Sequence, residues 1–191
     1  MQDIINQTIA ALRDGKTILY PTDTIWGIGC DATNHDAVEK IYQIKERDHS
    51  KSLLVLALPD QIQLPPACQA NIELTRCLFA PEQPTTVILP DAESIIKGLA
   101  SNLPASDRSI GVRIPQHDFC RLLLKTFGKP IVSTSANLSG RPSPTRFEEI
   151  EDELKQRIDL LVPNMPEFRS NTIQSSRILK LQIDGSLNRI R

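Results

Sequence analysis

The sequence is poor in aromatic residues and nearly neutral in charge, and both features limit what the protein can be. Phe, Trp and Tyr make up 4% of its 191 residues, and the formal net charge is -1. Such a chain has no general attraction for polyanions, so any site for phosphate groups or nucleic acid requires local clustering of cations. The few aromatic residues and the 14 scattered prolines predict an aliphatic core joined by defined turns.

The sequence also lacks the patterns of disulfide frameworks, zinc sites and membrane spans. Its cysteines, Cys30, Cys68, Cys77 and Cys120, form no C-x-x-C pair and have no zinc-ligand spacing. Cysteines of this kind are typical of reduced, buried thiols. No apolar run is long enough to cross a bilayer, and the N-terminus does not resemble a signal peptide. We therefore expect a soluble, cytoplasmic protein that does not bind membranes.

Two familiar catalytic patterns are missing as well. Gly15-Lys16-Thr17 resembles the end of a phosphate-binding loop, but Ala10 stands where that motif needs its first glycine, and the flanking elements occur in the reverse order. The histidines have no acidic or histidine partner at ligand spacing, so we predict no metal site formed by the protein itself. His49 lies near a group of cations, where it could touch a substrate, but an exposed position at a helix end is the more ordinary interpretation.

Apolar periodicity predicts helices that alternate with strands, which indicates an α/β sheet. No internal repeat or clear boundary divides the chain, and its length suits one domain covering residues 1–191. The predicted helices cover 3–14, 36–47, 72–79, 116–127 and 147–158, with a helical turn at 95–99. The predicted strands cover 17–20, 53–58, 85–89, 109–115, 131–134 and 160–162, residues 59–70 and 163–170 are read as loops, and 172–191 should form short strands around a turn at Asp184-Gly185.

The most unusual chemistry lies between Ile18 and Leu56. A short apolar strand stops at Pro21, and a polar loop that includes Thr22-Asp23-Thr24 separates it from the next predicted helix. Loops at strand ends are where α/β proteins place ligands. The segment therefore predicts a ligand site at this end of the sheet.

Three cations, Lys45, Arg47 and Lys51, follow within seven positions. Cations at the end of a helix complement its dipole and are common for that reason alone. Lys51 stands beyond the helix, however, just before the next strand, which favours a site for a multiply charged anion.

A second polar loop follows the predicted strand 131–134. It reads Ser135-Ala136-Asn137-Leu138-Ser139-Gly140. Hydroxyl and amide groups at a strand end can bind phosphate or carboxylate oxygens, but the same residue types suit a capped turn. The residues alone leave both interpretations open.

These segments together resemble a known family. Tyr20-Pro21-Thr22-Asp23-Thr24 with Trp26-Gly27-Ile28-Gly29, Lys45-Glu46-Arg47 and Ser133-Thr134-Ser135-Ala136-Asn137 are similar to the YrdC-like threonylcarbamoyl-AMP synthases, whose K-x-R…S-x-N signature is met by Lys45, Arg47, Ser135 and Asn137. The likeness spans nearly the whole chain and corresponds to the short, single-domain bacterial type without an additional C-terminal domain.

The resemblance implies an α/β fold with an open, twisted mixed sheet, flanking helices and a concave basic cavity. It implies a nucleotidyltransferase that condenses L-threonine, bicarbonate and ATP, with Mg²⁺, into threonylcarbamoyl-AMP and pyrophosphate. Downstream proteins would transfer the threonylcarbamoyl group to adenosine 37 of tRNA, which this protein could itself bind. The implied catalytic residues are Lys45 and Arg47; the implied ATP site comprises Lys45, Arg47, Lys51, Ser109, Ser135, Asn137, Ser143 and Arg189, and the implied threonine site comprises Thr22, Thr24, Arg113, Ser133 and Thr172.

Three segments depart from the family pattern. Asp48 replaces a proline that commonly follows the signature arginine, Pro81-Glu82-Gln83-Pro84 replaces a Trp-Pro-Gly-Pro loop, and Ser170-Asn171-Thr172 replaces Pro-Ser-Thr. Of these, Asp48 would place a negative charge beside the expected triphosphate site.

Two other functions are compatible with this fold. One is a nucleotide- or RNA-binding paralogue without synthase activity; the intact Ser135-Ala136-Asn137 favours the enzyme. The other is a carbamoyl-transfer domain like those of hydrogenase maturation proteins, which belong to much longer chains.

Overall fold

A computed structural model describes residues 1–50, 52–166 and 174–191. The described strands form one nine-stranded mixed sheet in the order β7-β1-β2-β6-β3-β5-β4-β8-β9. Their bounds are β1 Ile18–Tyr20, β2 Gly27–Gly29, β3 Leu54–Leu56, β4 Thr85–Leu89, β5 Ile110–Arg113, β6 Ile131–Ser135, β7 Leu160–Leu161, β8 Arg177–Leu181 and β9 Leu187–Arg189.

Parallel and antiparallel pairs alternate irregularly across this sheet. β2 pairs antiparallel with β1 and with β6, whereas β3 pairs parallel with β5 and antiparallel with β6. The loops after β1 and β6 and the end of β5 are thereby brought together. This is a twisted mixed α/β sheet, as the family resemblance implies.

Helices cover both faces of the sheet. They are α1 Gln2–Arg13, α2 His35–Lys45, α3 Pro66–Gln69, α4 Ile72–Phe79, α5 Ala92–Ile95, α6 Asp118–Phe127 and α7 Asp152–Gln156, with 3₁₀ turns at Pro59–Gln61 and Phe147–Glu149. Apolar residues of α1 and α6 form one core layer and those of α2, α4 and α7 belong to the other. Within β1, Leu19 joins one layer while its neighbours Ile18 and Tyr20 join the other, because successive side chains point to opposite faces.

Most predicted elements are confirmed, with shorter ends. Gly128 ends α6 in the left-handed conformation that the sequence predicts for a helix C-terminus, with φ 79°. The predicted turn at Asp184-Gly185 separates β8 from β9, and Gly185 has φ 85°. Residues 172 and 173 of the predicted C-terminal strands, and 167–170 of the predicted loop, lie outside the described residues.

The prediction of a loop between β1 and α2 is wrong in part, because β2 lies within it. Two glycines in three residues weaken the sequence pattern of a strand, but tertiary pairing decides the outcome. Gly29 is also required there: a Cβ atom would lie 2.3 Å from the backbone oxygen of Val132 on β6.

Three helical predictions are corrected as well. The predicted helix 147–158 is interrupted at Ile150, which is buried and extended, with φ -70° and ψ 127°, between the 3₁₀ turn and α7. The helical turn expected at 95–99 lies at Ala92–Ile95, after Asp91 in the left-handed conformation. The loop at 59–70 contains both a 3₁₀ turn and α3, each begun near a proline.

Helix α2 ends two residues earlier than predicted, and this matters for the site. It stops at Lys45 because Glu46 adopts a left-handed conformation, with φ 50° and ψ 43°. Lys45 and Arg47 therefore leave the helix end in different directions.

Candidate functional site

A cavity of about 210 Å³ opens where β1, β2, β3, β5 and β6 bring their polar loops together. The loop after β1, the loop after α2 and strand β6 contribute most of the lining residues that the sequence predicts. Strands β4 and β8 and the C-terminal segment also contribute to the lining. Its lining comprises Thr22, Thr24, Ile25, Trp26, Gly27, Arg47, Ser52, Leu53, Leu54, Thr86, Ile88, Gly111, Arg113, Ser133, Thr134, Ser135, Ser175, Ser176, Ile178 and Arg191.

The loop after β1 is shaped by hydroxyl groups. Pro21 ends the strand, and Thr22 Oγ1 donates to the backbone oxygen of Ile25 at 2.8 Å and accepts the backbone N–H of Thr24 at 3.1 Å. The Thr22 and Thr24 hydroxyls are also hydrogen-bonded to each other at 2.9 Å. Both side chains are almost completely buried yet line the cavity. The predicted threonine-site hydroxyls are thus held in place before any ligand binds.

Arg113 reaches this loop from the end of β5. Its Nη1 donates to Thr24 Oγ1 at 2.9 Å and lies 3.2 Å from Asp23 Oδ1 in an ion pair that is nearly excluded from solvent. Its Nε–H is buried and has no hydrogen-bond partner among the described residues. A buried donor without a partner is costly, so this guanidinium is prepared to bind an anion.

Ser133 completes the predicted threonine group from β6. It is 4% exposed and lines the cavity, and a Cβ atom on Gly27 would lie 3.3 Å from its Oγ and from Thr22 Cγ2. The glycine keeps the space between these two hydroxyl-bearing residues open. Of the five predicted threonine-site residues, four meet at one cavity, and Thr172 lies outside the described residues.

Lys45 is placed differently from the way a substrate-contacting lysine would be. It is 1% exposed, and its Nζ donates to the backbone oxygens of Ser135 at 2.5 Å and Asn137 at 2.6 Å, and to Asn137 Oδ1 at 3.4 Å. Its own backbone oxygen accepts the N–H of Ser139 at 2.9 Å. Burial, with repulsion from Arg47, lowers the pKa of Lys45 from 10.5 to about 7. In this structure the lysine holds the loop after β6 rather than lining the cavity.

Asn137 belongs to the same buried network. Its Oδ1 accepts from Ser135 Oγ at 2.5 Å, and its amide nitrogen donates to the backbone oxygen of Arg141 at 2.5 Å. Ser135 lines the cavity, but Asn137 lies behind it. The S-x-N half of the signature thus divides into one cavity residue and one residue that fixes the loop.

Two further arginines, Arg47 and Arg191, bring positive charge to the cavity. Arg47 donates from Nη2 to the backbone oxygen of Ser52 at 3.0 Å. Arg191 donates from Nε and Nη2 to the backbone oxygen of Ser176 at 3.3 and 3.1 Å. Burial and the nearby Arg113 lower the pKa of Arg191. With Arg113, three guanidinium groups line one cavity, and an anion between them would relieve their mutual repulsion.

The other predicted nucleotide residues do not line this cavity. Ser109 is buried, and its hydroxyl and N–H both bind the Asp107 carboxylate. Ser143 and Arg189 are exposed on the surface, and Lys51 lies outside the described residues. Their assignment to ATP stays a prediction.

Arg191, which lines the cavity, and Asp23, which pairs with Arg113, are not indicated by the sequence pattern. Arg189 and Arg191 are two positions apart at the end of one extended segment, so alternation alone could not distinguish them. Asp23 stood within the recognised Thr-Asp-Thr motif, but its partner Arg113 is 90 residues away.

Asp48 and the segment 81–84, two of the three departures from the family pattern, do not line the cavity, and Ser170-Asn171-Thr172 lies outside the described residues. Asp48 is exposed, and its carboxylate accepts the N–H of Ser50 at 2.7 Å. Glu82 pairs with Arg76 on the surface, and the backbone oxygen of Pro84 accepts the N–H of Arg177 at the start of β8. His49 stacks on Tyr42 with ring centroids 4.2 Å apart and is more than half exposed. These placements agree with the interpretation of His49 as an exposed residue near a helix end.

Two broader features concern metals and membranes. Within residues 1–50, 52–166 and 174–191, no group of three or more His, Cys, Asp and Glu side chains could hold a metal ion. In the same ranges, no helix is long and apolar enough to span a membrane.

Solved structures share this fold. The L-threonine complex of Sua5 from P. abyssi matches 93% of the chain and 50% of that protein, with 23% identity and a TM-score of 0.76. E. coli YciO matches all of the chain and 89% of that protein, with the same identity and TM-score. The chain also matches HypF over 28% of that protein's length. At these identities the structures establish the fold alone.

Curated proteins give a closer sequence match. A Vibrio parahaemolyticus protein named threonylcarbamoyl-AMP synthase is 34% identical over 82% of this chain and 84% of its own length. The protein of that name from Photobacterium profundum is 32% identical over 88% of this chain and 91% of its own length. The family model described as "Sua5_yciO_yrdC: Telomere recombination" matches residues 10–191. The chain therefore belongs to the Sua5/YciO/YrdC family.

Proposed function

We propose that this protein is an L-threonylcarbamoyladenylate synthase, an enzyme that condenses L-threonine, bicarbonate and ATP and releases pyrophosphate. The observation that carries the proposal is the convergence of Thr22, Thr24, Arg113 and Ser133 with Arg47 and Ser135 around one cavity. A carboxylate-binding group and a phosphate-binding group then lie within reach of each other. The curated relatives that bear the name of this activity support the same conclusion.

The reaction needs no nucleophile from the protein. The threonine amine takes up bicarbonate with loss of water to give a carbamate, and a carbamate oxygen then attacks the α-phosphorus of ATP and displaces pyrophosphate. The enzyme contributes by holding the reactants in line and by neutralising the charge that develops on phosphate oxygens and on the leaving group.

The guanidinium groups are suited to that task. Arg113 binds the threonine carboxylate, and Thr22, Thr24 and Ser133 surround the amino acid. Arg47 and Arg191 bind the phosphates, for which charge-assisted hydrogen bonds are each worth about 1.5–3 kcal/mol. Mg²⁺ enters with ATP as part of the substrate and keeps several of its waters, as it commonly does with nucleotide phosphates.

Lys45 acts on the nucleotide side in this proposal, as the signature predicts. From its present position it acts through the end of β6, where Ser135 lies, and the loop that follows. Ser109, Asn137, Ser143 and Arg189 are retained as candidates for that side, although none lines the cavity.

The product serves the threonylcarbamoylation of adenosine 37 in tRNA. We propose that separate cytoplasmic proteins carry out the transfer. Direct tRNA binding is testable by salt-dependent affinity.

The decisive experiment is detection of threonylcarbamoyl-adenylate by mass spectrometry after incubation of the purified protein with L-threonine, bicarbonate and MgATP. We expect the adenylate and equimolar pyrophosphate, with both lost when threonine or bicarbonate is omitted. Arg47→Ala should abolish the product, whereas Arg13→Ala, at an exposed arginine that ends α1, should not. An absence of pyrophosphate with all substrates present would refute the synthase proposal, and tRNA binding without adenylate formation would favour the RNA-binding alternative.

A further inference from the structure

The turn that follows α2 contains a residue in an unfavourable backbone conformation. Glu46 has φ 50° and ψ 43°, a left-handed conformation that glycine adopts readily and that residues with a side chain adopt at a cost. The backbone N–H of Glu46 donates to the oxygen of Gln43 at 3.1 Å, and the next N–H along the chain donates to the oxygen of Tyr42 at 3.0 Å. These two hydrogen bonds are those of a Schellman motif, whose left-handed position is usually occupied by glycine. A contact from elsewhere in the fold should therefore stabilise Glu46 in this turn.

Arg157, the residue after α7, makes that contact. Its Nη1 donates to Glu46 Oε1 at 2.8 Å and to the backbone oxygen of Ile44 at 3.4 Å. Its Nη2 donates to Glu153 Oε1, four residues earlier, which fixes the guanidinium from the other side. Ile44 belongs to the last turn of α2, where backbone oxygens have no partner within the helix. The guanidinium thus caps the end of α2 and binds the side chain of the left-handed residue at the same time.

This turn separates the two cations of the K-x-R signature. Before it, Lys45 is buried and its Nζ donates to the backbone oxygen of Ser135. After it, Arg47 lines the cavity. If Glu46 returned to the right-handed conformation, α2 would continue and the chain would carry Arg47 in another direction. The place of Arg47 in the cavity therefore depends on the conformation of Glu46.

We propose that Arg157 is a positioning residue of the synthase: it holds the left-handed turn that directs Arg47 into the cavity. The inference rests on the synthase function proposed above. Arg157 is not among the residues that line the cavity, so it acts on the phosphates of ATP only through Arg47. Its side chain is one third exposed, and ion pairs at such positions are weak. The expected effect is moderate and falls on ATP rather than on threonine.

The test is Arg157→Ala, compared with the wild-type protein by steady-state kinetics. We expect the KM for ATP to rise about three- to fivefold, which is the upper range for loss of one exposed ion pair. The affinity for L-threonine, measured by calorimetry without ATP, should not change, because the residues proposed to bind it lie on other elements. A general loss of structure would lower both affinities. Arg76→Ala is the matched control: it removes the surface ion pair with Glu82 and should change neither quantity.

Substitutions of Glu46 test whether the effect passes through the turn. Glycine adopts the left-handed conformation without a side-chain clash, so Glu46→Gly keeps the turn without a partner. In that background Arg157→Ala should have at most a small effect on the KM for ATP, and a rise as large as in the wild-type background would overturn the inference. Glu46→Ala removes the ion pair and keeps the strain, so it should raise the KM for ATP as Arg157→Ala does. This variant decides the question if Arg157→Ala folds poorly, since an unchanged KM for ATP in Glu46→Ala contradicts the proposed role.

The outcomes also separate this inference from the proposed function. Wild-type protein that forms no adenylate from its three substrates contradicts both. Wild-type protein that is active, with an Arg157→Ala variant whose KM for ATP is unchanged or whose threonine affinity falls equally, contradicts only the role of Arg157.

Discussion

The proposed amino-acid half and the proposed nucleotide half of the cavity are built in different ways. The amino-acid half consists of buried hydroxyls and one paired arginine, all already held at the cavity wall by contacts such as Arg113 with Thr24. In the nucleotide half, Lys45 and Asn137 are hydrogen-bonded to each other and do not line the cavity. Arg47 and Ser135 line the cavity on this side. The amino-acid half is preorganised by side chains that hold one another at β5, β6 and the loop after β1, whereas the nucleotide half depends on how a loop is supported.

Because of this contrast, we expect substitutions in the two halves to change different properties of the protein. Changes near β2 should act on the fold or on threonine alone. Changes near Lys45 should act on stability and on ATP together, because the same hydrogen bonds support the loop and place Ser135.

The largest effect is expected for Gly29→Ala. The added methyl group would lie 2.3 Å from the backbone oxygen of Val132 and 2.9 Å from a ring carbon of Tyr20, so β2 could not keep its place between β1 and β6. We expect the free energy of unfolding to fall by at least about 3 kcal/mol, as in severe overpacking of a core. Urea denaturation followed by circular dichroism measures this change.

Gly27→Ala is the matched control on the same strand. Its methyl group would meet Ser133 Oγ and Thr22 Cγ2 at 3.3 Å, inside the cavity. We expect a small change in stability and a several-fold rise in the KM for threonine. Equal destabilisation by both alanines would show that β2 contributes only to the fold and would weaken the view of a preorganised amino-acid half.

The second-largest effect is expected for Lys45→Met, which changes the nucleotide half. Removing the ammonium group leaves the buried oxygens of Ser135 and Asn137 without their donor, which should cost about 2–3 kcal/mol of stability. The KM for ATP should rise because Ser135 is no longer held, while threonine affinity measured without ATP stays near the wild-type value. Lys40→Met, at an exposed lysine of the same helix that donates to the backbone oxygen of Gly15, should change both quantities little.

A loss of activity in Lys45→Met with unchanged stability would argue against the supporting role. It would show that the lysine moves to contact the phosphates during the reaction.

A smaller effect is expected in the pH dependence of stability. The pKa of Lys45 is about 7 in the folded protein and 10.5 in its ordinary environment. Between these values the unfolded chain binds the proton that the folded protein has released, so unfolding free energy rises with pH. Below pH 7 the lysine is charged in both states and this gain is absent. Denaturation at pH 7, 8 and 9 should therefore show wild-type stability rising relative to Lys45→Met, and parallel curves would contradict the lowered pKa.

The same contrast explains what could be predicted from the sequence. Thr22 and Thr24 follow the end of β1 and Arg113 ends β5, and strand ends that meet in one sheet converge without further information. Ser133 lies in the middle of β6, which pairs with β2 and β3. The predicted α/β fold and most element positions follow from apolar periodicity. Apolar periodicity does not indicate strand β2, because the glycines at positions 27 and 29 carry no side-chain pattern, although the missing side chain of Gly29 is what permits the close pairing with β6.

The nucleotide half was less predictable because a local backbone conformation controls it. Lys45, Arg47 and Lys51 read as one cluster in the sequence, but the left-handed Glu46 separates the first two. Lys45 then points into the protein and Arg47 lines the cavity. No periodicity could indicate that a non-glycine residue would adopt this conformation or that a lysine would be buried against backbone oxygens.

The smallest effect is expected at Asp48, which the sequence places in the middle of the cationic cluster. The residue is exposed and does not line the cavity, and its carboxylate accepts the N–H of Ser50. Asp48→Asn keeps that hydrogen bond and removes one negative charge near Arg47. Because solvent screens exposed charges, we expect stability to change by less than about 0.5 kcal/mol and the KM for ATP to fall less than about threefold, an effect that disappears in high salt. Steady-state kinetics at low and high ionic strength measures the change in the KM for ATP. A large, salt-independent change would mean that residue 48 contacts the nucleotide directly. The nucleotide half would then extend beyond the cavity lining.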